Sequence, residues 1–287
     1  MRFLYAGNRG GVLQRMLELD LNVVGVLPVK NSHLENEAAK LELPTFPVAT
    51  KKEASSRICE SNFDVLISCG FPFILPISRF QKLMPAARFV NIHPSYLPDL
   101  RGADPIPGAI LHSRDSGVSC HLMDDGIDTG DLISQRRLPY AKEWDAATLY
   151  QLCFSLEADI FCEALKADFM PMEKEANRTH DPIYYSFSPD DLLIDVQQSD
   201  EEIIGRIRAF NSASKGARLK INSVEYRAFE GGIIPRPKTS KLYPRAANNE
   251  IVAVFNDSIL VSRSDSLLRF GSLDPKPTVD LIGKFIL

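Results

Sequence analysis

Short apolar runs alternate with helix-spaced segments through the first half of the chain. Residues 3–6 and 23–27 are apolar enough for buried strands, and residues 11–19 between them space their apolar positions as a helix does. Residues 64–68 and 88–92 repeat the strand pattern, with helix-permissive sequence between them. Alternation at this spacing predicts an α/β fold, a parallel, doubly wound sheet with helices on its faces. Residues 118–123 and 132–138 read as two further strands joined by a glycine-containing loop. An amphipathic helix follows, with Asp145 as its N-cap and Leu149, Leu152, Leu156 and Ile160 recurring at intervals of three and four.

The pattern changes near residues 177–190, where Pro182 and Pro189 interrupt the periodicity and polar residues cluster. A boundary at residue 180 would divide a large domain (1–180) from a smaller one (181–287). The second part contains one short helix, signalled by the capping box Ser199-Asp200-Glu201-Glu202 ahead of Ile203, Ile204, Ile207 and Phe210. Short apolar runs broken by turns make up the rest, at residues 218–221, 224–229, 251–255, 259–261 and 267–270. Asn256-Asp257 reads as a hairpin turn, and a small, largely β C-terminal domain is expected.

Composition narrows the class. A 287-residue chain that is 45% hydrophobic and 24% charged is ordinary for a globular protein of one large domain or two unequal ones. No run approaches the roughly 20 apolar residues of a membrane-spanning helix, and the N-terminus reads as a strand rather than a signal peptide. A cytoplasmic protein with no membrane partner is therefore expected. Cys59, Cys69, Cys120, Cys153 and Cys162 are scattered without a C-x-x-C pair, which predicts reduced thiols and no metal site. The formal charge of −4 lacks the signature of a dedicated nucleic-acid binder. Residues 215–245 nevertheless hold eight basic and two acidic side chains.

Three segments carry candidate chemistry. Asn91 and His93 stand two apart at the end of a predicted strand, so both side chains leave one face, at the carboxyl edge where open α/β sheets bind ligands. An amide and an imidazole there could supply an oxyanion donor and a proton shuttle, or could simply satisfy loop backbone groups. Asp124-Asp125-Gly126-Ile127-Asp128-Thr129-Gly130-Asp131 fails the spacing of a calcium loop. It suits either a polar surface turn or a glycine-shaped turn that presents one carboxylate inward. Beside an imidazole, such a carboxylate would fix the tautomer and raise the pKa above about 6.5. Gly7-Asn8-Arg9-Gly10-Gly11, between the first strand and first helix, reads as a packing turn or as a cradle for a phosphate. Cys69 has no evident partner base and reads as structural; His33, His112, His121 and His180 show no ligand spacing and read as structural or exposed.

Asn91-x-His93 with Pro94-Ser95-Tyr96-Leu97-Pro98 and Arg101-Gly102-Ala103, followed by Asp128-Thr129-Gly130-Asp131, resembles the 10-formyltetrahydrofolate-dependent formyltransferase family. The resemblance continues through Tyr184-Tyr185 to Asp195, Ile207-Arg208-Ala209-Phe210-Asn211 and Gly216-Ala217, and so covers roughly residues 1–220. It implies a Rossmann-like catalytic domain and an enzyme that uses 10-formyltetrahydrofolate as donor. By the same analogy His93 takes or relays the amine proton, Asn91 hydrogen-bonds the oxyanion, and Asp128 orients His93. The donor's pterin would lie beside Ser68, Gly70, Phe71, Phe73 and Leu75 and the loop of Asp124, Gly126 and Asp128. Asn8, Arg9, Arg101 and Asp104 complete the candidates on the acceptor side.

Two acceptors compete, a nucleotide-linked amino sugar and methionyl-tRNA. Family members acting on tRNA typically carry an Arg-rich loop after the second strand, where this chain runs Pro28-Val29-Lys30-Asn31-Ser32-His33-Leu34-Glu35-Asn36-Glu37. They more often have Ala where Pro94 stands. Both differences favour the sugar, whereas the basic stretch from Lys215 to Arg245 could contact tRNA phosphates. A non-catalytic folate- or nucleotide-binding module would not need the Asn91, His93 and Asp128 set. Formyl-folate hydrolysis ranks below transfer because no regulatory domain precedes the core. Family analogy would allow a homodimer, for which the sequence itself offers nothing.

Overall fold

The computed structural model describes residues 1–172, 181–236 and 242–287. The expected boundary at residue 180, His180, and residues 237–241 of the basic stretch fall at or within the segments outside that range. The described chain forms two compact units. The first comprises Met1–Pro105, Asp115–Pro139 and Gln151–Tyr185; the second comprises Ile106–Arg114, Tyr140–Tyr150 and Ser186–Leu287.

In the first unit the buried apolar runs become strands β1 (Arg2–Gly7), β2 (Asn22–Pro28), β3 (Val65–Cys69) and β4 (Arg88–His93). Helices α1 (Gly11–Glu18), α2 (His33–Lys40), α3 (Lys51–Glu60) and α4 (Ile77–Leu83) lie between them in sequence. These strands pair in parallel. After α5 (Pro105–Leu111), strands β5 (Ser116–Leu122) and β6 (Leu132–Leu138) extend the sheet to the order β2-β1-β3-β4-β5-β6. Both added strands run antiparallel to their neighbours, so the sheet is parallel-dominated rather than wholly parallel. For the β5–β6 pair the reason is local: residues 123–131 are too few for the crossover that a parallel pair would need.

Helix α6 (Ala146–Lys166) starts where expected, with Asp145 Oδ1 accepting the Thr148 N–H at 2.8 Å. Its inward face differs from the predicted stripe. Leu152 is exposed and Leu156 half-buried, while Leu149, Cys153, Glu157 and Ile160 are buried. A helix of 3.6 residues per turn accommodates either set, and the apolar residue types favoured the wrong one. A carboxylate therefore sits where a leucine was expected.

The second unit holds α7 (Asp200–Ala209), whose Ser199–Glu202 capping box forms as predicted. The expected strands appear as β7 (Ala217–Ile221), β8 (Val224–Ala228), β10 (Ile251–Phe255), β11 (Ser258–Ser262) and β12 (Ser266–Gly271). Asn256, at φ +53°, turns the chain between β10 and β11. One strand escapes the sequence reading: β9 (Glu230–Pro235), which completes the antiparallel order β10-β11-β12-β9. Its glycines look like a break. A Cβ at Gly231 would lie 2.7–2.8 Å from the Ile204 and Ile207 methyls, so the glycine serves close packing of α7. Apolar side chains of α7 and the strands form one buried cluster here. No helix among the described residues is long and apolar enough to cross a membrane.

Candidate active site

The site forms where strands of the first unit end. Asn91 and His93 alternate onto one face of β4, as the period-two pattern requires. His121 of β5 pairs directly with Asn91 in antiparallel register, so its side chain joins the same face. The sequence reading assigned His121 to structure or surface; instead it is buried in this cluster. Only the pairing of β4 with β5, which spacing along the chain does not reveal, brings it there.

The loop after β5 turns one carboxylate inward. Asp124 Oδ1 accepts the Gly126 N–H at 3.0 Å and the Thr129 hydroxyl at 2.6 Å, while Asp125 caps the Ser78 N–H at 3.0 Å. Gly130 packs so tightly on the Leu122 carbonyl that a side chain there would collide with it. Asp128, held at φ +53°, is the acid these contacts direct inward. Its side chain is 13% exposed, and Oδ2 accepts the Gly102 N–H at 3.0 Å and lies 3.6 Å from His93 Nδ1. Oδ1 lies 3.3 Å from Asn91 Nδ2 and 3.5 Å from His121 Nε2.

Hydrogen-bond logic fixes the protons. A carbonyl only accepts, so the Leu100 carbonyl at 3.1 Å places a hydrogen on His93 Nε2, leaving the neutral ring's lone pair on Nδ1. Likewise the Leu122 carbonyl at 2.7 Å takes a hydrogen from His121 Nδ1, making Nε2 an acceptor for Asn91 Nδ2 at 3.2 Å. The two acceptors of Asn91 Nδ2 are only 3.5 Å from each other. Together they fix the orientation of the Asn91 amide.

Burial dominates the His93 pKa and lowers it from the usual 6.5, outweighing Asp128 and the Leu100 carbonyl, which raise it. As the sequence reading has it, Asp128 pulls the His93 pKa up; the net shift is nonetheless downward because the ring is almost fully enclosed. For Asp128, burial pushes the carboxyl up, but neighbouring His93 and His121 and the Gly102 N–H together bring it down to about 2. At neutral pH the pair is a carboxylate facing a neutral imidazole.

These groups border a cavity of about 400 Å³. Ser68, Gly70, Phe71, Phe73 and Leu75 form one wall, with Asp124, Gly126 and Asp128 beside them. Phe71 and Phe73 stand edge to face, centroids 5.2 Å apart. Asn8, Arg9, Gly102, Pro105 and Tyr184 line the remainder. Arg101 and Asp104 share the loop with Gly102 but do not line the cavity. Arg101 instead exchanges backbone hydrogen bonds with Ile183 and Tyr185, at 3.1 and 2.8 Å. Asn8 and Arg9 also border a second cavity of about 620 Å³. Arg9's guanidinium is already engaged, 2.8 Å from a Glu157 carboxylate oxygen. Cys69 is buried, and burial pushes its thiol up to about 12, so it carries no thiolate.

Gly102 is the hinge of this geometry. At φ +108° a Cβ would meet the Tyr185 carbonyl and the Tyr184 ring. Gly102→Ala is expected to cost roughly 1–3 kcal/mol of stability, read as a lower thermal unfolding midpoint. An unchanged midpoint would show that the loop is not held as described.

Two family descriptions match the chain, "Formyl transferase" over residues 22–165 and "Formyl transferase, C-terminal domain" over residues 187–281. Methionyl-tRNA formyltransferase from Coxiella burnetii is 32% identical over 193 residues, 64% of this chain and 58% of that protein. This chain thus spans less than two thirds of that relative's length. The Clostridioides difficile protein of the same name is 27% identical over 92% of this chain and 82% of its own. Among solved structures, the N-formyltransferase from Helicobacter canadensis, crystallised with folinic acid and dTDP-3-aminofucose, aligns at TM-score 0.66 and 20% identity. That alignment covers 94% of this chain and 98% of the other.

Proposed function

The chain belongs to the formyl transferase family, and from that premise we propose that it moves a formyl group from 10-formyltetrahydrofolate to the amine of a nucleotide-linked amino sugar. The observation that carries the reading is the convergence of Asn91, His93 and Asp128 on one cavity. A cavity of about 400 Å³ with perpendicular phenylalanine rings on one wall suits a planar heterocycle. Ser68, Gly70, Phe71, Phe73 and Leu75 would hold the folate there, with the turn of Asp124 and Gly126. When bound, the folate supplies an electrophilic formyl carbon and a nitrogen leaving group.

The chain's own residues do the rest. Neutral His93 accepts the attacking amine's proton at Nδ1, since Nε2 already carries hydrogen for the Leu100 carbonyl. The resulting imidazolium faces ionised Asp128, which compensates its charge and keeps the proton available for the leaving nitrogen. Asn91, whose amide borders the cavity, would donate to the negative charge that develops on the formyl oxygen. A neutral base with a lowered pKa predicts that kcat/KM falls on the acid side with a midpoint below 6.5. A midpoint above 6.5 would contradict His93 as that base.

Two observations support a sugar acceptor. The Helicobacter canadensis structure of similar fold contains a dTDP-linked amino sugar. The described part of the basic stretch also spends charge internally: Arg227 pairs with Asp274, and Arg218 lies 3.8 Å from Glu225. Paired arginines offer less to tRNA phosphates. Methionyl-tRNA is the second reading, favoured by the two sequence relatives described above, both methionyl-tRNA formyltransferases. The deciding experiment presents purified protein with 10-formyltetrahydrofolate, a panel of nucleotide-linked amino sugars, and methionyl-tRNA. Formylation of a sugar amine is the expected result; formylation of tRNA alone would overturn the choice.

A further inference from the structure

Behind the catalytic trio lies a buried ion pair that the transfer reaction, as described, does not use. Glu157 projects from the inward face of α6 and its side chain is 1% exposed. Oε2 accepts from Arg9 Nε at 3.1 Å and from the Cys69 thiol at 3.2 Å, and Oε1 lies 2.8 Å from Arg9 Nη2. The other face of the guanidinium is occupied as well. Its carbon lies 4.8 Å from the Phe154 ring centroid, and Nη2 also donates to the Ile92 carbonyl at 3.2 Å. Ile92 stands between Asn91 and His93. Gly70, on the donor wall, has no room for a side chain because Asn8 and Arg9 pack directly over it. Arg9 thus touches the end of the strand carrying Asn91 and His93, the donor wall, and a buried carboxylate at once.

We propose that Arg9 and Glu157 are positioning residues for formyl transfer: the pair holds the Asn91–His93 strand end in place and sets the charge against which His93 takes up its proton. The proposal rests on the transfer reaction above. Its geometric half follows from valence. Guanidinium presents several hydrogens in a rigid fork and can serve Glu157 and the Ile92 carbonyl together, whereas an ammonium on a flexible stem cannot hold that plane. Its electrostatic half follows from the groups facing His93. Asp128 and His121 face it from β5 and the following loop, the Leu100 carbonyl from the loop after β4, and Arg9 from the loop after β1. Asp128 and the carbonyl favour the imidazolium; His121 and Arg9 oppose it. Glu157 compensates Arg9 and so limits that opposition. Tyr5, fully buried, donates its hydroxyl to the Arg9 carbonyl at 2.6 Å and fixes the backbone from which the fork extends.

The test combines kinetics with a titration that needs no turnover. Wild type, Glu157→Gln, Arg9→Lys, Arg9→Met and the double variant Arg9→Met/Glu157→Gln are compared, with the His93 ring signal assigned by loss in His93→Gln. In Glu157→Gln the uncompensated Arg9 cation is expected to lower the His93 titration midpoint by at least about 0.5 pH unit. Arg9→Met should raise it, and the neutral double variant should restore the wild-type value. Arg9→Lys should lower kcat about tenfold or more, from lost alignment, with donor KM within about threefold of wild type. Midpoints that coincide in all variants would overturn the charge role, and Arg9→Lys kcat within twofold of wild type would overturn the alignment role. Because the titration is read on folded protein without substrate, a wild type that transfers no formyl group would refute the proposed reaction while leaving the charge coupling measured on its own.

Discussion

Asp128→Asn is expected to lower formyl transfer by about 10³–10⁴-fold, the scale seen when a buried carboxylate that supports a catalytic imidazole loses its charge. The substitution preserves volume, and the new carbonyl oxygen can still accept the Gly102 N–H that reaches Oδ2 at 3.0 Å. What disappears is the anion 3.6 Å from His93 Nδ1. Without it the imidazolium formed when His93 takes the amine proton has no counter-charge in an enclosed site. An amide at position 128 also brings hydrogens toward Asn91 Nδ2 and disturbs the hydrogen bond that orients it. The loss should fall on kcat, with donor KM changed little, because the donor wall is built largely from the residues around Phe71 and Phe73. Near-wild-type kcat in a folded Asp128→Asn protein would remove Asp128 from the mechanism.

The second large effect is expected at Asn91. Removing a single oxyanion donor typically costs about 10²–10³ in rate, and Asn91→Ala should lose that much. Its amide borders the cavity, and Asp128 Oδ1 and His121 Nε2 hold Nδ2 in a fixed orientation there. Deleting the amide removes that donor and also leaves His121 Nε2 without its partner. Steady-state turnover within tenfold of wild type, with the fold intact by circular dichroism, would sink the role.

These residues differ in how far the sequence exposes them. Asn91 and His93 are legible because strand alternation sends residues two apart to one face; glycines mark the turn after β5, but only the family resemblance singles out Asp128 among Asp124, Asp125, Asp128 and Asp131. His121 is not legible, since its membership depends on β5 running antiparallel to β4 with Asn91 and His121 in register. Nothing along the chain fixes that pairing. Glu157 is hidden for a different reason. A helix register of Leu149, Cys153, Glu157 and Ile160 fits the period as well as the leucine stripe does, and hydrophobicity prefers the leucines until Arg9 is known to face the helix. The His93 pKa shows a third limit: the sign of its shift depends on how completely the ring is enclosed, which only the packed fold determines. Strand β9 was obscured by Gly231 and Gly232; at Gly231 the missing side chain makes room for α7 rather than ending the strand.

In the proposed reaction the cavity bounded by Asn91, His93 and Asp128 passes a formyl group from folate to an amine. Its most direct test is to supply 10-formyltetrahydrofolate carrying label in the formyl carbon, together with an amino-sugar nucleotide. Label appearing in the amine product and release of tetrahydrofolate are followed in the same reaction. The account predicts that the two appear in equal amounts, depend on the acceptor, and are abolished together in Asp128→Asn. Release of tetrahydrofolate that proceeds equally without an acceptor, or label that never reaches an amine, would contradict it.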